Sequence, residues 1–458
     1  MATAPAPTQP NSVRRAALFG AVVQPLQAFF RLEAASGVVL LACALAALAW
    51  VNFGGAEAYR EIFGYELALG AGGRLARFSV LELVNDGLMT LFFFVVGMEI
   101  KRELVVGELR TPARALLPAV AALGGMLVPA GIYYAVNRGG PGEPGWGIPM
   151  ATDIAFCVGC LTLLKRRVPR GLVVFVTALA IFDDIGGILV IAVFYGTGLH
   201  VSWLLAALAI TAGLALMCRG YVRSGPAYAL MGAALWYALH HSGIHATIAG
   251  VVLGLTIPAR PLRRPREVLE SLSEHTGALL RKAADDELDS AAIARIDEKL
   301  EELEPPLERF VNALHPWVAF VIMPAFALAN SGVDLSRLGP SQLTGPIALG
   351  TGLGLLLGKQ LGIFSFTIAA SRLGLAPLPG NASAVKLLGV SIVAGIGFTV
   401  ALFIAGLAFL GQPELLDEAK FGIIAGSLAS GLTGCLLLVL TPIVKSDSAA
   451  DATEPGAA

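Results

Sequence analysis

Apolar residues fill this chain in long blocks separated by short polar loops. A helix that crosses a membrane needs about 20 predominantly apolar residues. Blocks of that order fall at 34–51, 83–100, 115–136, 149–164, 171–195, 201–218, 226–240, 244–258, 316–332, 345–369, 384–410 and 419–442. The pattern predicts an all-α membrane protein with about twelve transmembrane helices. Blocks 149–164 and 244–258 are short and rich in glycine, as expected where a helix is broken or covered by other protein.

Two polar segments interrupt the blocks. Residues 59–80, YREIFGYELALGAGGRLARFSV, place β-prone stretches around an Ala-Gly-Gly turn and predict a small extracytoplasmic β-hairpin. Residues 260–314 are strongly charged, with acidic residues in excess. There Leu269, Leu272, Leu279, Leu280, Ile293, Ile296, Leu300 and Leu303 recur mostly at three- or four-residue steps. That spacing predicts a solvated cytoplasmic helical hairpin, read as a surface linker inserted between spans.

Arginine and lysine set the orientation. The loops after even-numbered blocks carry Lys101, Arg102, Arg110 and Arg114, then Lys165, Arg166, Arg167 and Arg170, and later Arg219, Arg223, Arg260, Arg263, Arg264, Arg266 and Arg372. The loops after odd-numbered blocks are nearly bare, Arg60, Arg74, Arg77, Arg138 and Arg337 excepted. Both termini are therefore expected in the cytoplasm. The reading gives a tail at 1–33 with a short surface helix, a membrane domain at 34–443, and a disordered tail at 444–458.

Composition agrees and narrows the classes. Of 458 residues 56% are hydrophobic and only 14% charged, against roughly 25% charged in ordinary soluble domains. Mean hydropathy is +0.74. A formal net charge of −1 gives no reason to expect a nucleic-acid partner. The five cysteines lie in or beside apolar runs, which argues against a disulfide framework, and the Cys157–Cys160 pair reads as two small residues on one helix face.

Against that background four charges stand out, because each lies deep inside a predicted span: Asp153, Asp183, Asp184 and Lys359. An ionised side chain at the bilayer centre costs at least ~2.5–3.5 kcal/mol on insertion scales, so its retention points to function. Asp183 and Asp184 are neighbours in ALAIFDDIGGILV, and neighbours on a helix point about 100° apart. One can line a cavity while the other faces a partner helix. Two like charges so close in a medium of low dielectric favour the protonated form of at least one. Once deprotonated, the same oxygens are hard ligands suited to Na+ or Li+. Proton and cation then compete for one place, which is the core of an exchanger. Asp153, in MATDIAF, follows Pro149 and Thr152 where the span is expected to break. There it can balance exposed helix N-termini, with Thr152 supplying an oxygen. Lys359, in LGLLLGKQLGIF, needs a buried anion, either Asp183 or Asp153.

At these residues the chain resembles the NhaA family of sodium/proton antiporters. The matching segments are NDGLMTLFFFVVGMEIKREL (85–104), MATDIAF (150–156), IFDDIGGI (181–188), SGIHATIAGV (242–251), LHPWVAF (314–320), LGKQLGIF (357–364) and AGIGFTVALF (394–403). Blocks 115–195 and 345–442 each hold three spans in opposite orientation, with interrupted middle helices at ATDIAF and at Gly395 and Gly397. Paired broken helices in inverted repeats mark a midplane binding site, an arrangement for which NhaA transporters are themselves a defining example.

The resemblance implies two discontinuous helices crossing at midplane, with core repeats at 115–195 and 345–442 and interface elements at 34–114 and 201–258. It implies that Asp184 is the main Na+/H+ carboxylate, that Asp183 pairs with Lys359 and binds Na+ with Asp184, and that Thr152 lies on the cation path. Asp153 and Lys359 would offset the helix-end dipoles. His245, Glu99 and Glu103 match pH-sensing positions, and Asp86 matches a carboxylate near the extracytoplasmic side. The hairpin matches a homodimer contact. The expected activity is electrogenic exchange of Na+ or Li+ for H+ in a bacterial inner membrane, active at alkaline pH, with no enzymatic chemistry and no cofactor. One departure is Val311, where the family has an acidic residue four positions before the His of HPWV; Glu308 lies one turn away. The charged insertion at 260–314 is a second. A sodium-coupled solute symporter is the rival reading. It would need polar groups for its solute that the apolar spans scarcely offer. An intramembrane aspartyl protease would need a GxGD-like motif, and IFDDIGG is not one.

Overall fold

The protein is described from a computed structural model, over residues 33–71, 74–196, 198–261, 265–282, 296, 303–336 and 339–443. Both expected tails, the hairpin's Gly72 and Gly73, and most of the second arm expected within 260–314 lie outside the described residues.

The described residues are helical almost throughout. Helix α1 spans Glu33–Trp50 and bends through Val51–Gly55, where Gly54 takes a φ of 98°, into α2, Ala56–Gly64. Strands β1 (Glu66–Ala71) and β2 (Arg74–Ser79) pair antiparallel, with Glu66 opposite Ser79 and Ala71 opposite Arg74. The hairpin is therefore present but shorter than residues 59–80, because Tyr59–Gly64 is helical. Its aromatic side chains explain why. The Tyr59 hydroxyl lies 2.7 Å from the carbonyl oxygens of both Leu328 and Ala329 and donates to one of them at a time, which ties this turn to the bundle.

Next come α3 (Val80–Val105) and α4 (Pro112–Asn137). A tight helical turn, Glu143–Met150, leads through extended residues 151–153 into α5, Ile154–Leu163. Then follow α6 (Arg170–Phe194), α7 (Val201–Arg219), α8 (Gly225–Ser242) and α9 (Ile248–Thr256). Helix α10, Pro265–Lys282, is the longest described stretch of the charged insertion. The insertion ends earlier than residue 314, because Pro306 opens α11, Pro306–Asn330. Proline suits a first helical turn, where its missing N–H leaves nothing unpaired. The remaining helices are α12 (Pro340–Leu343), α13 (Pro346–Arg372), α14 (Ala384–Val393), α15 (Phe398–Ala408) and α16 (Pro413–Leu440).

Among the described residues nine helices are long and apolar enough to cross a membrane, or ten if α14 and α15, bent by 47° at their break, make one span. The two further expected spans correspond to α8 and α9. Helix α9 holds nine residues, or about 14 Å of rise, well short of the hydrocarbon thickness.

Glycine sets how closely α4 and α13 approach. A Cβ on Gly362 would lie 2.1 Å from the Gly124 carbonyl oxygen, so only bare backbone fits there. This contact sits three residues beyond Lys359 and presses its helix against the centre of the molecule. The backbone of α13 also widens into a π-type turn over Gly354–Gly358, immediately before Lys359. Such turns interrupt otherwise regular helices at functional positions.

Candidate functional site

Residues 151–153, ahead of α5, and 394–397, between α14 and α15, are non-helical and meet in the middle of the molecule. The Asp153 N–H donates to the Ile396 carbonyl at 2.7 Å. A broken helix exposes backbone N–H groups at each new start and carbonyls at each new end. Here both new starts converge on one side chain. Asp153 Oδ1 accepts from the Phe156 N–H at 3.1 Å, capping α5. Its Oδ2 accepts from the Thr399 N–H at 3.1 Å and also from the Thr399 hydroxyl, capping α15. An anion at a helix N-terminus is favoured both by hydrogen bonding and by the helix dipole. The expectation that Asp153 balances exposed helix starts therefore has a geometric basis, in a residue only 1% exposed.

Thr152 faces the other way. Its hydroxyl lies 2.7 Å from Asp183 Oδ2 and 3.0 Å from the Ala394 carbonyl oxygen. One hydroxyl hydrogen serves one acceptor at a time. Asp183 Oδ2 also accepts from Lys359 Nζ at 2.6 Å, and both side chains are wholly shielded from solvent. Of the two partners the sequence left open for Lys359, the structure selects Asp183. Asp183 Oδ1 is buried and has no protein partner among the described residues.

The adjacent carboxylate has different surroundings. Thr177, Ile181 and Asp184 recur at helical spacing along one face of α6 and line a cavity of about 280 Å³. Asp183, one position earlier, is turned toward α13. The cavity also reaches Thr152, Asp153 and Thr399 at its deep end. At its other end lie Glu99, Arg102 and Glu103 of α3 and His315 of α11. A passage with ionisable groups set in mostly apolar walls thus leads from the C-terminal end of α3 to Asp184.

Glu99 and Glu103 line this passage, but His245 does not. It precedes α9, which runs parallel to α3: Gly250 packs on Thr90 and Phe94, and Gly254 on Phe94 and Met98. His245 consequently sits near the start of α3, on the order of 15 Å along its axis from Glu99, with its ring 6.2 Å from that of Phe403. The three expected pH-sensing residues are not brought together. Val311 is buried in the apolar core and does not line the passage, whereas Glu308 reaches to 3.9 Å from Arg102. Cys157 and Cys160 are free thiols, and no cluster of three metal-ligating side chains occurs among the described residues.

Four further side chains join the site that the sequence did not single out as site residues. Thr399 is a single hydroxyl inside the apolar segment GFTVALF. His315 and Arg102 lie in recognised motifs, but only the folded chain turns them into one passage. Ser427, on α16, accepts from the Phe398 N–H at 3.3 Å and so holds the same helix start that Asp153 caps.

Comparison with known proteins identifies the family. Residues 27–438 match the family described as Na+/H+ antiporter 1. The chain is 66% identical to the Na+/H+ antiporter NhaA of Anaeromyxobacter sp. strain Fw109-5, over 97% of this chain and 98% of that protein. It is 59% identical to Na+/H+ antiporter NhaA 1 of Myxococcus xanthus, over 92% and 94% respectively. It is 45% identical to the NhaA antiporter of Syntrophobacter fumaroxidans, over 91% and 90%. The chain belongs to the NhaA family of Na+/H+ antiporters.

Proposed function

We propose that this protein is an electrogenic antiporter of a bacterial membrane, using inward proton movement to expel Na+ or Li+. Asp184 is the carboxylate at which proton and cation compete, Asp183 shares that site, and Thr152 lies at its edge. Lys359 neutralises Asp183 when no cation is bound. Asp153 holds the two broken helices at their crossing. The observation that carries this reading is the contrast between neighbours: Asp184 faces a passage while Asp183 is locked to Lys359 at 2.6 Å. Adjacent carboxylates in unlike surroundings suit unlike roles.

The finer architecture belongs to the same proposal. Counting α8, α9 and the bent pair α14–α15 with the nine long helices gives twelve spans. Helices α4–α6 and α13–α16 would be inverted repeats, each with a broken middle element. Both termini would be cytoplasmic, so the passage past Glu103 would open to the cytoplasm. Glu99, Glu103 and His245 would tune activity with pH, and the β1–β2 hairpin would join two copies. Domain limits follow those repeats, at 115–195 and 345–442. The symporter reading has no support from these relatives, each of which carries the name of an antiporter.

The direct experiment uses everted membrane vesicles with an internal proton load reported by acridine orange. Adding NaCl should dequench the dye with the wild-type chain and not with Asp184→Asn. Equal dequenching from both would remove Asp184 from its assigned place.

A further inference from the structure

A second cavity, of about 250 Å³, lies behind the helix crossing, on the side away from Asp184. Its walls are apolar and come from α1, α5, α15 and α16. They include Leu45, Phe156, Cys160, Phe398, Leu432 and Cys435. Leu45 and Leu432 are 57% and 63% exposed, so the crevice opens sideways between α1 and α16. In a membrane-spanning chain those outward faces meet lipid hydrocarbon, which fills such a crevice more readily than water does.

One end of the crevice carries charge. Cys160 is followed within a turn or so by Lys165 and Arg166, both exposed. Arg167 donates to the carbonyls of Val439 and Thr441, tying this basic turn to the end of α16, one turn beyond Cys435. Lys165 and Arg166 are thereby held at the membrane-surface end of the crevice. A basic group next to an apolar slot fits a lipid with an anionic headgroup.

We propose that an anionic phospholipid seats one acyl chain in this crevice, with its phosphate over Lys165 and Arg166. The bound chain packs against Phe156 and Phe398, whose rings meet edge to face at 5.3 Å. The N–H groups of these two residues donate to Asp153 and Ser427. The lipid therefore supports the crossing from behind. Its effect on exchange rests on the function proposed above; its binding does not.

The test is made on the purified full-length chain. Native mass spectrometry measures retained phosphatidylglycerol, and exchange is followed in phosphatidylcholine vesicles with and without phosphatidylglycerol. Lys165→Gln/Arg166→Gln removes the charge, Leu432→Trp fills the slot, and Arg110→Gln is the control. Wild type and control should retain the lipid, and each test variant should lose about tenfold in retention. Phosphatidylglycerol should accelerate exchange by wild type and not by the test variants. Unchanged retention in the double variant overturns the proposal. So does unchanged retention in Leu432→Trp, which would place the lipid on the surface rather than in the slot. A wild type that retains phosphatidylglycerol through these residues yet exchanges no Na+ supports the lipid site and sinks the antiport reading.

Discussion

Lys359 and Asp183 lie 176 residues apart in sequence and 2.6 Å apart in space, with neither side chain exposed. Removing one partner of such a pair strands the other as an uncompensated buried charge, at about 3–5 kcal/mol. Lys359→Ala should therefore lower the unfolding temperature and depress exchange. Lys359→Ala/Asp183→Asn should regain most of the stability without regaining exchange. Losses that simply add in a thermal-unfolding double-mutant cycle would mean the pair is not coupled.

Asp153 caps two helices, so its loss should exceed that of an ordinary cap. Asp153→Ala is expected to destabilise by about 1–4 kcal/mol, twice the usual ~0.5–2 kcal/mol for one N-cap. Thr399→Val keeps the backbone donor and removes only the hydroxyl, for about 1 kcal/mol. Thermal unfolding in detergent measures both. Equal effects from the two would count against a shared cap.

The pH dependence follows from competition. A proton on the exchanging carboxylate excludes Na+, so raising the pH frees the site and tightens Na+ binding. For a single proton the apparent KM for Na+ should fall by about tenfold per pH unit until the carboxylate is fully ionised, and then level off. Initial rates of Na+-driven dequenching across a pH series give this slope. A KM indifferent to pH throughout would rule out one shared site.

The approach of α4 to α13 leaves no space for a side chain at Gly362. Gly362→Leu should force the helices apart, at about 1–3 kcal/mol or more, and draw Lys359 away from Asp183. Both stability and exchange should drop, whereas Gly131→Leu, at an uncrowded position of α4, should leave both nearly intact.

The charged centre was legible because hydrocarbon tolerates few ionised groups, so Asp153, Asp183, Asp184 and Lys359 stand out wherever they fold. The hairpin was legible from its Gly-Gly turn, but its start was not, because Tyr59–Gly64 is held as helix by contacts with a distant segment. The choice of Asp183 over Asp153 as partner of Lys359 was not legible from the residues alone, because it depends on how α6 and α13 rotate against each other. Thr399 was hidden because one hydroxyl barely alters an apolar run. The separation of His245 from Glu99 escaped for a similar reason: parallel packing of α3 and α9 through glycines fixes it, and linear sequence carries no such measure.

The double cap at Asp153 has a mechanical consequence. The Phe156 and Thr399 amides share one side chain as acceptor, so neither helix can slide alone without stripping its own amide of that partner. The pair is pinned like two blades at a single rivet, and any alternation of access would have to swing them together.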